Sequence, residues 1–281
     1  MKGILLAGGH GTRLFPLTRV VSKHLLPVYD KPMFYYPLCS LMEAGAREVL
    51  LIAAPSDLPL FQKLLGSGRA LGLRILYRAQ ERALGIADAL RIGRDFIGND
   101  RVALALGDNV FAGDCSAVFR HAAAQKDAVI FTSPVPDPVR YGIATVQGER
   151  VTALEEKPAR PASNLAVVGM YFYPPDCAAY AAKLSPSARG ELEITDLNRR
   201  YLQEERLCAL PLPCRWQDAG TSEGLLRAAA LVREEELKGR QLGCLEERAY
   251  RLGLIDRAQF ERLWPLSAGS DYGAKLRSVP V

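Results

Sequence analysis

The chain has 281 residues, 49% of them hydrophobic, which is enough to bury a large core and excludes an intrinsically disordered chain. Its 36 Lys and Arg against 31 Asp and Glu leave a net charge of only +5, with the basic residues spread along the chain. That distribution excludes an electrostatic footprint for nucleic acid and points to small anionic ligands. The six cysteines, Cys39, Cys115, Cys177, Cys208, Cys214 and Cys244, show no paired metal spacing, and reduced, mostly buried thiols are expected. The apolar run after Met1 is too short for a signal peptide or a membrane span, so a cytoplasmic protein without membrane contact is expected.

Apolar runs of strand length occur at 3–7, 48–53, 73–77, 101–106 and 128–135, and the stretches between the first four read as helical. The clearest helix is 85–97, where Ile86, Ala89, Leu90, Gly93 and Ile97 share one face and Asp88, Arg91 and Asp95 fall on the other. Strands alternating with helices imply a mostly parallel sheet whose ligands sit at the carboxyl ends of its strands. After residue 135 the segments 141–146, 151–156 and 167–173 are extended, so an antiparallel addition to the sheet is expected. A helix should follow 191–195, then a strand at 207–212, then a long helix with Thr221 as its N-cap and Glu223 in its first turn. The expected division is a catalytic unit, 1–239, and a short helical extension, 240–281, with a helix-like stretch after Asp256.

Directly after the first apolar run comes GGHGTRLFPLT, residues 8–18. Its glycines free the backbone to turn so that successive amides surround an anion, and Arg13 adds a planar positive fork. The spacing is not a Walker loop, which ends in Gly-Lys-Ser/Thr, and Leu14 replaces the third glycine of the dinucleotide fingerprint. A strand-to-helix turn without ligand would explain the glycines alone equally well. The longer stretch, continuing through SKHLLPVYDKPMFYYPL to Leu38, resembles the opening signature of the glucose-1-phosphate thymidylyltransferases, within the sugar nucleotidylyltransferase family. The resemblance implies an α/β, Rossmann-like three-layer nucleotidyltransferase fold with a mixed, mostly parallel central sheet and a small helical C-terminal extension. It also implies that Gly8, Gly9, Gly11, Thr12 and Arg13 contact the nucleotide and its phosphates, and that Lys23 neutralises the triphosphate and the departing pyrophosphate. His10 stands where the family often has serine and is expected to offer its backbone amide.

Further segments resemble the family in the same order. The apolar run 101–106 ends in LGDN, so Asp108 emerges at the carboxyl end of a central strand. An isolated Asp there would ordinarily be a turn residue. By resemblance, Asp108 also contacts the nucleotide and, with Asp218 of WQDAG, holds Mg2+, a cation that prefers oxygen ligands. Asn109, Tyr141 and Gly142 of RYG, Glu156 and Lys157 of EEKP, and Val167 would line the sugar side, with Lys157 on the sugar phosphate. The stretch ARGELEITDLNRRYL, 188–202, is a further match whose residues are expected to support the fold rather than touch substrate. Base recognition departs from the commonest pattern. AQERALGIADAL, 79–90, keeps Gln80 and Gly85 as nucleotide contacts but lacks the frequent proline and aspartate before the glycine. Gln80 is expected to make paired amide contacts to a pyrimidine edge.

These residues imply in-line attack by a sugar 1-phosphate oxygen on the α-phosphorus of dTTP, with Arg13, Lys23 and Lys157 as the catalytic cations and Mg2+ as cofactor. The resemblance implies dTTP and glucose 1-phosphate as substrates, the first step of dTDP-deoxysugar synthesis such as that of dTDP-rhamnose, and a homotetramer. The alternatives are a uridylyltransferase or an enzyme for another sugar 1-phosphate and, from a different class, a noncatalytic regulatory subunit that binds sugar nucleotide.

Overall fold

The computed structural model describes residues 1–9, 11–264 and 269–280; His10 and its expected backbone amide lie outside the described residues. The first strand, Lys2–Ala7, lies in the interior of the sheet, and its residues from Gly3 onward are buried. Such a run, apolar on both faces, is what a strand covered by helices on both sides requires. Side chains alternate across the sheet: Leu5 joins the apolar cluster of one face, and Ile4 and Leu6 join that of the other.

Nine strands form one sheet in the order Arg74–Ala79, Glu48–Ala53, Lys2–Ala7, Val102–Leu106, Leu165–Tyr173, Ala128–Pro134, Leu207–Pro211, Arg150–Glu156, Gly142–Gln147. The first four are mutually parallel, and following the pairings across the sheet leaves only Leu165–Tyr173 and Arg150–Glu156 running the other way. The sheet is therefore mixed but mostly unidirectional. Leu165–Tyr173 is not an edge addition: it lies at the centre, between Val102–Leu106 and Ala128–Pro134, because LAVVGMYFY is apolar on both faces. Its register shifts between Val167 and Tyr171, a bulge centred near Gly169.

Helices cover both faces. Phe61 of Leu58–Leu65 and Phe119 of Ser116–Ala124 pack in one cluster with Phe34, Phe131 and Phe172, while Leu197 and Tyr201 of Ile194–Gln203 pack in the other with Ile4, Leu104 and Tyr173. Thr221 caps the long helix Ser222–Leu237 by accepting from the Gly224 amide at 3.0 Å. The C-terminal helices Leu245–Arg251, Arg257–Leu263 and Asp271–Arg277 bring Leu245, Ala249, Phe260 and Leu276 into the Phe61 cluster. Buried Lys31 joins Asp30 at 2.6 Å and Glu236 at 2.7 Å, and Lys275 of the last helix pairs with the same two carboxylates. No helix among the described residues is long and apolar enough to cross a membrane.

Three expectations need correction. The helix expected over 85–97 is two short ones, Asp88–Ile92 and Arg94–Ile97, hinged at Gly93, where a Cβ would meet Ile4 Cδ1 at 2.7 Å. Asp88 is not on a solvent face: it is 2% exposed, because its carboxylate meets Gln80 instead of water, while Arg91 and Asp95 stay exposed. The thiols are not all reduced, since Cys115 and Cys214 form a disulfide with Cα atoms 6.1 Å apart. The short strands Asn109–Ala112 and Arg215–Asp218 pair antiparallel and carry these two cysteines to the same end of a ribbon. Cys39, Cys177 and Cys244 are buried free thiols and Cys208 is half-buried.

Candidate active site

A cleft of about 480 Å³ opens at the carboxyl ends of the first, third and fourth strands in chain order, where Gly8, Gln80 and Asp108 emerge. The loop after Lys2–Ala7 brings Gly8, Gly9 and Arg13 to its wall, with Gly9 at φ 96°. Gly11 and Thr12 stand back from that wall. Gly11, at φ 59°, opens the turn Thr12–Leu14 and its carbonyl accepts from the Thr18 hydroxyl at 2.9 Å; Thr12 is exposed.

Lys23 Nζ reaches Asp108 Oδ2 at 2.5 Å, and Asn109 Nδ2 donates to Asp108 Oδ1 at 2.9 Å. Burial alone would raise the Asp108 carboxyl, but the charge and hydrogen bond of Lys23, aided by Asn109, outweigh it and hold the group well below the ordinary carboxylate range. The Asn109–Ala112 and Arg215–Asp218 ribbon sets Asp218 directly opposite Asn109, so residues over a hundred positions apart share one end of the cleft. Asp218 is pushed up by burial and then by the negative charge of Asp108, although the Gly220 amide donates to its Oδ1 at 2.8 Å. Beneath them His24 is fully buried, and burial followed by the neighbouring Lys23 charge lowers it to about 3. It is neutral at physiological pH and packs where a Cβ at Gly107 would stand 2.6 Å from its Cδ2.

The two carboxylates form a cradle above Gly220. A Cβ there would lie 2.9 Å from Asp218 Oδ1, 3.1 Å from an Arg13 guanidinium nitrogen and 3.2 Å from Asp108 Oδ2. Two carboxylates converging beside Gly220, one destabilised by the other, fit a hard divalent cation that takes its remaining oxygens from phosphate and water. Among the described residues there is no cluster of three His, Cys, Asp or Glu able to hold a metal by itself.

The other end of the cleft gathers Tyr141, Gly142, Glu156, Lys157 and Val167. Lys157 takes φ 44° and its amide donates to the Tyr141 carbonyl at 3.0 Å, which turns the chain at the end of Arg150–Glu156. Glu156 is already engaged: Thr195 Oγ1 donates to its Oε2 at 2.5 Å and Arg189 to its Oε1 at 3.1 Å. Arg189 also bridges to Glu193 at 2.8 Å. Asn109 Oδ1 accepts from Trp216 Nε1 at 2.6 Å and from the Gly169 amide, at the bulge, at 2.9 Å. Gln80 and Gly85 also line the cleft, but Gln80 Nε2 donates to Asp88 Oδ2 at 3.0 Å and to the Gly85 carbonyl at 3.3 Å. One free polar atom therefore remains on Gln80 in place of the expected pair.

His24, Arg189, Thr195 and Trp216 all line the cleft without having been singled out from the sequence. Trp216 carried a usable signal: in an extended segment it stands two before Asp218 and so on the same face. Thr195 and Arg189 lie in the 188–202 match, but nothing local says which of its residues turn inward.

The nucleotidyl transferase family profile matches residues 2–235. The chain is 47% identical over 282 residues to the glucose-1-phosphate thymidylyltransferase of Neisseria meningitidis serogroup A, covering 98% of each chain. To that of Xanthomonas campestris pv. campestris it is 48% identical over 284 residues, covering 99% of this chain and 96% of the other. Among solved structures, a Bacillus anthracis protein assigned as a glucose-1-phosphate thymidylyltransferase, in complex with a sucrose, superposes with TM-score 0.79 at 42% identity, over 83% of this chain and 96% of that one. A UDP-glucose pyrophosphorylase complexed with UDP-glucose superposes with TM-score 0.74 at 25% identity, over 85% and 99%.

Proposed function

We infer the reaction from one premise: the chain belongs to the nucleotidyl transferase family and, within it, to the glucose-1-phosphate thymidylyltransferases. It transfers the thymidylyl group of dTTP to α-D-glucose 1-phosphate, giving dTDP-glucose and pyrophosphate. A phosphate oxygen of the sugar phosphate bonds to the α-phosphorus of dTTP, and the bond from that phosphorus to the oxygen bridging the β-phosphate breaks. The attacking phosphate is already ionised near neutral pH, so the obstacles are repulsion between anions and their alignment. The observation that best supports the proposed site is the convergence of Arg13, Asp108 and Asp218 around Gly220, with Lys23 on Asp108, beside the glycine loop.

In this reading Gly8 and Gly9 cradle the triphosphate, with Arg13 as a fixed cation carried in by the turn at Gly11 and Thr12. Lys23, held by Asp108, stands ready to exchange one carboxylate oxygen for phosphate. Asp108 and Asp218 would hold Mg2+, which when bound supplies charge neutralisation at the phosphates. Asn109, oriented by Trp216 and Gly169, and Glu156, oriented by Thr195 and Arg189, face the sugar hydroxyls, while exposed Lys157 takes the sugar phosphate. Assembly as a homotetramer belongs to the same proposal and is checked by sedimentation.

The test is Mg2+-dependent pyrophosphate release with glucose 1-phosphate and, in turn, dTTP, UTP, dCTP, ATP and GTP. Release with dTTP is expected, falling on the order of a hundredfold or more in Asp108→Asn. Faster release with UTP would replace the base assignment, and an unchanged rate in Asp108→Asn would remove that residue from the site.

A further inference from the structure

Asp88, on the polar face of the Asp88–Ile92 helix, is turned toward Gln80 and not toward solvent. Asp88 and Gln80 are buried together, with 2% and 6% of their surfaces exposed. Both amide hydrogens of Gln80 are committed, one to Asp88 Oδ2 at 3.0 Å and the other to the Gly85 carbonyl at 3.3 Å. The partners fix which way the carboxamide points: rotating it by half a turn would set Oε1 against a carboxylate and a carbonyl, three acceptors with no proton among them. Arg91 adds an ion pair 2.7 Å from Asp88 Oδ1 but no hydrogen bond, so the bond from Gln80 is the one that orients the carboxylate.

With Nε2 occupied, only Oε1 faces the cleft, and among the described residues it accepts no hydrogen bond. It lies over the Cα of Gly8, where any Cβ would collide with it. Leu6, Ala83 and Ile86 supply apolar lining to the cleft around these groups. The result is an apolar slot with a single acceptor whose polarity cannot reverse.

We propose that Asp88 is a positioning residue that sets base specificity: by taking a Gln80 amide proton it presents Oε1 alone, an acceptor matched to a pyrimidine that carries a proton on N3. Thymine and uracil carry that proton. Cytosine presents a lone pair at N3, and two acceptors then face each other out of water. The inference rests on the reading that this cleft binds a nucleoside triphosphate. It adds the source of the polarity, which is not Gln80 itself, since a free carboxamide could turn to suit either base.

The experiment compares kcat/KM for dTTP and dCTP, and calorimetric binding of each nucleotide without sugar phosphate, in the wild type, Asp88→Asn and the exchanged pair Gln80→Glu with Asp88→Asn. Asparagine has the same shape but can donate or accept, so it lets Gln80 turn. The dTTP preference should fall roughly ten- to hundredfold, the worth of one hydrogen bond set against a buried mismatch. The exchanged pair reverses that bond, with the asparagine at 88 donating to the glutamate at 80, whose carboxylate can only accept toward the cleft, so the dTTP preference should return even where the overall rate does not. An unchanged ratio in Asp88→Asn, equal losses for both nucleotides, or no recovery in the exchanged pair would each overturn the proposal. The exchanged pair gives its reading even where Asp88→Asn does not fold. Wild-type protein that binds and turns over none of the nucleotides would overturn the underlying reading, a result distinct from an active enzyme with an unaltered ratio.

Discussion

Gly220→Ala separates folding from function with one added carbon. The position has an ordinary φ, so alanine fits the backbone, and removing a glycine from the unfolded chain stabilises by about 0.4–1 kcal/mol. The three atoms nearest the new Cβ are side-chain tips, of Asp218, Arg13 and Asp108, at 2.9, 3.1 and 3.2 Å. To regain ordinary contact the Asp218 carboxylate must retreat by about half an ångström, and the other two by less. Side-chain tips yield at small cost, so the thermal midpoint should stay level or rise slightly. The same retreat opens the cradle proposed for Mg2+. Because misplacement by 1 Å can cost about a hundredfold in rate, half of that predicts roughly a tenfold fall in kcat/KM and a shift of the Mg2+ dependence to higher concentration. Pyrophosphate release across a Mg2+ titration, beside a melting curve on the same preparation, checks both halves. A wild-type Mg2+ profile in a folded variant would refute the placement of the cation above Gly220.

Two further outcomes follow from buried groups. His24 binds its proton near pH 6.5 when unfolded but only at about 3 when folded, so between those values the unfolded state holds more protons and stability falls as pH falls, by up to about 1.4 kcal/mol per pH unit. Urea midpoints measured from pH 7 to 4 should therefore drop more steeply in the wild type than in His24→Gln. The Cys115–Cys214 disulfide closes a loop of 99 positions, for which chain entropy gives about 4.7 kcal/mol. Reductant should lower the wild-type denaturant midpoint and leave the variant with both cysteines changed to serine unmoved.

Much of the fold was legible because each strand of the parallel half is a self-contained apolar run, and an apolar run ending in a loop places its next polar residue at a sheet edge. That logic reaches Gly8, Gln80 and Asp108. It does not reach Asp218, whose place depends on a four-residue ribbon strand pairing with Asn109–Ala112, too short to carry a period and paired across more than a hundred positions. The disulfide was hidden for the same reason: chain length argues about whether a staple is needed, not about which cysteines the ribbon brings together. Asp88 was misplaced by a sound rule wrongly completed. Helical period shows which residues avoid the apolar face, but it cannot say whether the other face meets water or a cleft.

The glycines offer a signal that periodicity lacks. Gly8, Gly107, Gly142, Gly169 and Gly220 all have φ outside the left-handed region, so no turn demands them. At each, a Cβ would press on a polar side chain that lines the cleft: Gln80, His24, Thr195 with Glu156, Asn109, and Asp218. Gly9 and Gly11, by contrast, are there for positive φ. Two populations of glycine therefore do different work, one bending the loop and the other thinning the wall so that functional groups lie against bare backbone. Gly8, Gly107 and Gly169, inside or directly after apolar strands where no turn is due, thus mark places where a polar group from a distant segment comes close, whereas Gly3, in the first strand, lies against Ala46 and Leu41. On that reasoning Gly169, inside LAVVGMYFY, points to Asn109 across the bulge, a contact that no local pattern around Asn109 foretells.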